Sequence, residues 1–341
     1  MDRITLAKLS LYGSLFALCV IGLGAFTRLI DAGLGCPDWP LCYGQLIVTK
    51  GQHQVSGFTT PFVAYKAWAE MIHRYFAGCL SIIVLLVLGL ICTKKNRTKL
   101  NTFLGITIFL LILYQIVLGQ LTVTLKLIPI VVTQHLLGGF FILAILWSLY
   151  LNNKSQKPVM QNQLTQQQVK LLSLFTSIAI ILLLTQIFLG AWTSTNYASL
   201  SCPDFPFCNN DYASNLNFKD AFALHPVGIN YEGGILPSTI RQTIQMTHRL
   251  GALILSLYLL IFISCAVKNC LSISYLVKLL LIIFGLLIVQ VSLGIINVIF
   301  ALPVVTAVGH NLVAILLLLS LITFLFELIK LRRAALHASF D

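Results

Sequence analysis

The sequence has little charge. Only 9% of its 341 residues are charged and 10 of them are acidic, whereas about a quarter of the residues in soluble domains are charged. Hydrophobic residues make up 58% of the chain, and the mean hydropathy is +0.93. This composition excludes an ordinary soluble domain and indicates an integral membrane protein.

Eight apolar stretches are long enough to cross a bilayer, for which about 20 residues are needed. They cover roughly 9–27, 72–92, 101–121, 131–151, 171–191, 245–266, 276–297 and 306–329. Little sequence lies between most of them. The sequence therefore predicts an all-α integral membrane protein with eight transmembrane helices.

The net charge of +12 is explained by topology rather than by a nucleic-acid partner. Most of the 22 basic residues lie at the N-terminus or in short connections and the C-terminal segment, while most of the acidic residues lie in the other loops. The positive-inside rule then places both termini in the cytoplasm and the long loops, about 28–70 and 193–243, on the outer side. We expect membrane lipid around the protein and no nucleic acid.

Two motifs each occur twice. The segment from Cys36 to Cys42 is repeated from Cys202 to Cys208, and the segment from Glu70 to Arg74 is repeated from Gln245 to Arg249. This indicates a tandem duplication of a four-helix unit. Because each unit has an even number of spans, both halves have the same orientation. The fold class is thus two tandem four-helix bundles, related by a pseudo-two-fold axis along the membrane normal.

The repeat also predicts the domain organisation. The N-terminal four-helix half covers 1–151, a cytoplasmic linker covers 152–170, and the C-terminal four-helix half covers 171–341. A weaker pattern, Gln-x-x-Leu-Gly, begins at Gln115, Gln186 and Gln290. We interpret it as helix packing through small residues, with a polar group that bonds across helices.

Four histidines lie near the outer ends of even-numbered spans, at repeat-matched positions: His73, His135, His248 and His310. One turn deeper, each is followed by a small residue: Ala77, Gly139, Ala252 and Ala314, respectively. A hydrogen-bonded core histidine would explain any one of them. Four matched ones, with clearance for a flat macrocycle, instead predict two haem sites, each with a pair of axial His ligands.

Other metal sites fit the pattern less well. Zinc usually takes three or four protein ligands, which two histidines per half do not supply. A di-iron centre needs a recurring Glu-x-x-His motif, but Gln245 stands where Glu70 stands in the first half. Arg74 and Arg249 directly follow histidines, and either contact haem propionates or extend towards the membrane surface.

Four of the nine cysteines form two matched C-x6-C loops on the predicted outer side. That compartment is oxidising, so we predict the disulfides Cys36–Cys42 and Cys202–Cys208. A closed loop of this size contributes about 2.4 kcal/mol in the chain-entropy model. Two roles remain open: a structural staple, or a redox pair that exchanges electrons or thiols during turnover.

This ordered set of motifs resembles the haem A synthase family over essentially the full chain. The resemblance implies oxidation of the C8 methyl group of haem O, via hydroxymethyl, to the formyl group of haem A for cytochrome oxidase. It also implies that His248 and His310 ligate the iron of a haem b cofactor, and that His73 and His135 bracket the substrate haem O. Catalytic roles are implied for Glu70, Cys36 and Cys42.

The resemblance further implies a bacterial cytoplasmic (inner) membrane location. The expected partners are haem O and haem A, the haem O synthase (a farnesyltransferase), cytochrome oxidase assembly factors and an unidentified electron acceptor. The resemblance does not decide whether the protein forms a homo-oligomer.

The residues themselves indicate which half is catalytic. Diverged duplicates differ where their roles differ, and the main difference here is Glu70 against Gln245. A carboxylate can accept a proton or orient water, whereas an amide cannot act as a base. The main alternative is a di-haem b-type cytochrome that transfers electrons between quinol and an outer partner. A quinone-linked thiol oxidase and a non-catalytic haem carrier are further alternatives.

Overall fold

The computed structural model describes residues 3–48, 62–155, 164–208 and 216–337, without the side chains of 334–337. These ranges contain eight long helices and one short helix. The helices are α1 (Arg3–Leu29), α2 (Ala64–Cys92), α3 (Lys99–Thr124), α4 (Pro129–Asn153), α5 (Gln166–Thr195), α6 (Phe218–Ala221), α7 (Ser238–Cys270), α8 (Ser274–Ile299) and α9 (Val304–His337). The middle of the predicted linker, 156–163, lies outside the described residues.

The eight long helices are each long and apolar enough to cross a membrane. This confirms the predicted all-helical membrane fold, and the protein is a multi-pass membrane protein. Their apolar side chains pack into one continuous core that includes residues from both halves.

Two helices begin earlier than hydropathy predicts. α2 begins at Ala64 and α7 at Ser238, well before the apolar runs that start near 72 and 245. His73 and His248 therefore lie about 14 Å along their helices, at 1.5 Å per residue, and not at a helix start. Hydropathy marks the segment that the bilayer core accepts, whereas helical hydrogen bonding continues beyond it.

Within each half the helices contact one another in a ring. In the first half the order is α1, α2, α3 and α4, and in the second it is α5, α7, α8 and α9. Each histidine-bearing helix thus lies between two helices that carry no site histidine.

Between the halves, α1 contacts α9, α4 contacts α5, and α4 contacts α9. The first two pairs are equivalent in the repeat. At the end of α1 and α5, Arg28 donates to the carbonyl of its own repeat equivalent, Ser194, at 2.6 Å. A two-fold relation predicts contact between equivalent residues near its axis. Elsewhere between the halves, Trp147 donates to Thr323 at 2.8 Å. The axis itself and the domain boundaries stay predictions.

Candidate functional site

The first histidine pair is formed by His73 on α2 and His135 on α4. Their ring centroids are 6.4 Å apart and the ring planes are inclined by 84°. The Nδ1 atoms of both rings are buried and have no hydrogen-bond partner among the described residues. A buried polar atom without a partner is costly, so this pair is a candidate for holding a ligand.

Each of the four histidine rings packs against a glycine on a neighbouring helix. A Cβ atom added to these glycines would lie 2.9 to 3.6 Å from the ring Cε1 atom. The pairs are Gly24 with His73, Gly119 with His135, Gly190 with His248 and Gly294 with His310. Three of the glycines end the Gln-x-x-Leu-Gly pattern, so that pattern marks where the rings lie as well as helix packing. The contact between these glycines and the histidine rings was not predicted from the sequence.

In the second half, the glutamines of the same pattern bond to the histidines. Gln186 Nε2 lies 2.9 Å from His248 Nδ1 and donates to the His248 carbonyl at 3.0 Å. Gln290 Nε2 lies 3.1 Å from His310 Nε2, and His310 Nδ1 lies 3.1 Å from the Gln290 carbonyl. In the first half Gln115 is buried, and its Nε2 has no partner within the described ranges.

Glu70 is buried between His73 and the first C-x6-C loop. Its Oε2 accepts a hydrogen bond from the Cys36 backbone N–H at 2.8 Å, and its Oε1 pairs with the Arg74 guanidinium. The Arg74 Nη1 donates to the carbonyls of Asp38 and Leu41 at 2.9 and 2.6 Å. Glu70 and Arg74 together hold the loop against α2.

The second loop is held in the same way but without a carboxylate. Arg249 Nη1 donates to the Asp204 and Phe207 carbonyls at 2.7 and 3.0 Å, and its Nη2 donates to the Cys202 carbonyl at 2.6 Å. Gln245 is buried, and its Oε1 has no partner in the part of the chain described. Among the described contacts, the Gln245 amide oxygen thus takes no part in holding the loop.

Arg74 and Arg249 were predicted either to contact haem propionates or to extend towards the membrane surface. In the structure both guanidiniums bond to carbonyls of the C-x6-C loops. These bonds give both arginines a role in holding the loops, and propionate contact stays a prediction.

The chain matches the COX15-CtaA family of cytochrome oxidase assembly proteins over residues 7–322. The chain belongs to this family. It is 43% identical over 322 residues to the heme A synthase of Shewanella oneidensis, an alignment that covers 90% of this chain and 92% of the relative. The heme A synthases of Bacillus pumilus and of a Wolbachia from Brugia malayi are each 26% identical, covering 78% and 93% of this chain and 76% and 95% of theirs.

In this COX15-CtaA family member both predicted disulfides are formed. The S–S distances are 2.03 Å for Cys36–Cys42 and 1.98 Å for Cys202–Cys208, and the Cα atoms are 4.8 Å apart in both. All four cysteines are fully buried. The pairing is confirmed, whereas the choice between a staple and a redox pair stays open.

The loop between α5 and α7 extends over the first half. Tyr231 is 2% exposed and packs with Leu127 and Ile128, in the connection between α3 and α4. Its backbone N–H donates to the Lys126 carbonyl at 3.1 Å. Next to it, Glu232 forms an ion pair of 3.5 Å with Lys66 on α2, one turn before Glu70. The second half therefore covers the end of the first half that carries the Cys36–Cys42 loop.

Proposed function

We propose that the chain is a haem A synthase, which oxidises the C8 methyl group of haem O, through the hydroxymethyl level, to the formyl group of haem A. Family membership and the 43% identical heme A synthase support the proposal. The observation that carries it is the asymmetry of two matched histidine pairs. A carboxylate, Glu70, stands beside the first pair, and an amide, Gln245, beside the second.

The second half, 171–341, would hold haem b between His248 and His310. The first half, 1–151, would hold substrate haem O between His73 and His135. The buried, unpartnered Nδ1 atoms of the first pair and the glycines against all four rings fit imidazoles that ligate the iron of a flat group. When bound, haem b supplies the redox chemistry of its iron, which side chains lack.

Glu70 is proposed to move protons or orient water at the first pair. When the oxygen comes from water, converting a methyl to a formyl group releases four electrons and four protons. The electrons leave to an acceptor outside the chain, whose identity is open. Both Glu70 oxygens already accept one hydrogen bond, but each carboxylate oxygen has a second lone pair. Glu70 therefore keeps the capacity to take a proton, while Arg74 and Cys36 hold it in place.

The Cys36–Cys42 disulfide is proposed to influence the reaction through Glu70. The Cys36 N–H bond to the carboxylate links the loop to this side chain. Opening the disulfide would loosen that bond, whether or not the thiols themselves carry electrons. The Cys202–Cys208 loop has no such link to Gln245 among the described contacts, so we propose a structural role for it.

We also propose that both termini lie in the cytoplasm and that the disulfide loops lie outside the cytoplasmic membrane. A haem O synthase would supply the substrate, and cytochrome oxidase assembly would consume the product. The di-haem cytochrome alternative gives no reason for Glu70 to differ from Gln245.

Co-expression with a source of haem O, followed by extraction and chromatography of the pigments, tests the proposal. Haem A, with or without its hydroxymethyl precursor, is the expected product. Haem B alone, or haem B with unchanged haem O, would contradict the proposal and favour electron transfer or carriage.

A further inference from the structure

We propose that Gln186 is a positioning residue for His248, and that it makes the second half the one that retains its haem. The inference deepens the proposed function, since it assumes that the second pair holds haem b. It concerns the side chains that contact the axial histidine and not the reaction itself.

The His248 ring is held by contacts from α5. The Gln186 amide nitrogen lies 2.9 Å from Nδ1 and also donates to the His248 carbonyl at 3.0 Å. One turn along α5, Gly190 lets the ring approach until an added Cβ would be 3.0 Å from Cε1. These contacts restrict ring rotation, and they engage Nδ1 rather than Nε2. When Nε2 binds iron, Nδ1 carries the ring proton, so Gln186 must then present its amide oxygen to Nδ1.

The two halves differ here at two facing positions. The second half has a large amide opposite a glycine, and the first half has two apolar side chains. Gln186 fits because Gly251 faces it; a Cβ on Gly251 would collide with the Gln186 Oε1. The equivalent positions in the first half are Val20 and Phe76. Phe76 stacks on Phe16 with a centroid separation of 5.4 Å. The space given to an amide in one half is therefore filled by apolar side chains in the other.

This exchange leaves His73 less restrained than His248. His73 Nδ1 has no hydrogen-bond partner in the described structure. The Val20 side chain has no polar group, so the His73 ring bonds only to the Val20 backbone and lacks the side-chain contact that Gln186 gives His248. An amide can present either its nitrogen or its oxygen to an imidazole, so Gln186 can partner both neutral tautomers. A histidine side chain that is fixed in place suits a haem that stays bound. A less restrained histidine suits a substrate haem that must enter and leave.

Gln290 is not part of the inference. Its amide lies against His310 Nε2, the nitrogen that iron would use. It must turn away when a metal binds, whereas Gln186 lies against Nδ1 and needs only to turn its amide over.

The test is the rate at which purified, haem-loaded protein transfers haem to an excess of apomyoglobin. Loss of a partner to a metal-bound histidine typically costs 10–100-fold in affinity. We expect Gln186→Val to release the second-half haem about 10-fold to 100-fold faster, with an altered low-spin haem spectrum. The matched control is Gln115→Val, which removes a buried first-half amide of the same motif; we expect its release rate to equal that of the wild type.

A converse variant keeps the inference testable if Gln186→Val folds poorly. Val20→Gln with Phe76→Gly builds the amide and its space into the first half, and we expect slower release of haem from that half. Equal release rates for Gln186→Val, Gln115→Val and the wild type would overturn the inference. His248→Ala separates this from the proposed function: if it leaves the resident haem in place, the haem assignment is wrong, whatever Gln186 does.

Discussion

Glu70, Arg74 and Cys36 form one bonded unit in the first half, where the disulfide loop meets α2. The carboxylate bridges the Arg74 guanidinium and the Cys36 N–H, so a substitution at Glu70 can affect the loop as well as proton transfer. Glu70→Gln separates these effects, because an amide oxygen can still accept from Cys36 but cannot act as a base.

We expect Glu70→Gln to lower haem A formation by about 100-fold or more, the contribution typical of a general base, while bound haem b and the disulfide are retained. Pigment analysis per mole of purified protein is the measurement. The matched control is Gln245→Glu, which adds a carboxylate beside Arg249 and should leave haem A formation near normal. Near-normal haem A from Glu70→Gln would show that the carboxylate acts only as a support.

We expect the Arg74 guanidinium to protect the Cys36–Cys42 disulfide by holding its loop against α2. A lysine in its place would keep the charge but lose the guanidinium fork that serves several carbonyls at once. Bonds to charged groups contribute about 1.5–3 kcal/mol each, so Arg74→Lys should expose Cys36–Cys42 to reduction roughly 10-fold faster at a fixed dithiothreitol concentration.

Alkylation and mass spectrometry after timed reduction measure this effect. Arg249→Lys provides the matched comparison, because it should speed reduction of Cys202–Cys208 and not of Cys36–Cys42. If Arg74→Lys left its own loop as resistant as before, the guanidinium contacts would not be what holds it.

At this scale the repeat-matched positions predicted both disulfides, which the structure confirms, and they placed His73 beside His135; the ligand roles of the four histidines stay predictions. The glutamine motif was interpreted as helix packing with a polar group that bonds across helices, and Gln186 does bond across helices, but the sequence did not identify His248 as its partner. Nor did the sequence predict that Arg74 bonds to loop carbonyls. These partners depend on which groups face one another across different helices and loops, and one-dimensional spacing contains little of that information.

The loop between α5 and α7 is one element that joins the two halves. Tyr231 anchors it to the first half through buried ring contacts and a backbone hydrogen bond to the Lys126 carbonyl, and the Tyr231 hydroxyl donates to the Pro226 carbonyl within the loop. Tyr231→Ala should cost about 3–5 kcal/mol, as for other buried aromatic residues, and release the loop from the first half.

Limited proteolysis between 216 and 237 is the measurement for Tyr231→Ala, and we expect clearly faster cleavage. Tyr231→Phe keeps the ring and loses one hydrogen bond, so it should cleave at close to the wild-type rate. Equal cleavage of the Ala variant and the wild type would mean that the loop is held elsewhere.

We expect His225 to make the attachment of this loop depend on pH. Its ring packs between Trp192 and Tyr231 at centroid distances of 5.7 and 5.2 Å, and burial lowers its pKa below the ordinary 6.5. A released loop binds a proton more readily than the packed loop, so the stabilisation of the packed loop weakens as the pH falls below about 6.5 and is fully present above it.

Proteolysis of the loop at pH 5.5 and 7.5 tests this, with a protease active at both values. We expect faster cleavage at pH 5.5 in the wild type and no such difference in His225→Phe. A difference that persists in the Phe variant would assign the effect to another group.

The elements illustrate what hydropathy can and cannot predict. Eight apolar runs predicted eight helices, because crossing a bilayer requires about 20 apolar residues. The starts of α2 and α7 were missed, since their first turns lie outside the apolar runs. The docking of Tyr231 on the first half has no local sequence signal, because its partners lie more than a hundred residues away in the chain.

At the scale of the whole molecule, the duplication explains both the likeness and the difference of the halves. Each half presents two histidines to its own interior, seated on glycines. The first half adds Glu70, and the second adds Gln186. On this account the first half carries out the reaction on haem O and the second half retains haem b, and both keep the same helical framework.

The most direct test compares His73→Ala with His248→Ala in cells that supply haem O, by measuring haem B, O and A per mole of purified protein. The account predicts that His73→Ala keeps its haem B and makes no haem A, whereas His248→Ala loses haem B. Loss of haem B from both variants alike, or haem A production by His73→Ala, would contradict the division of labour between the halves.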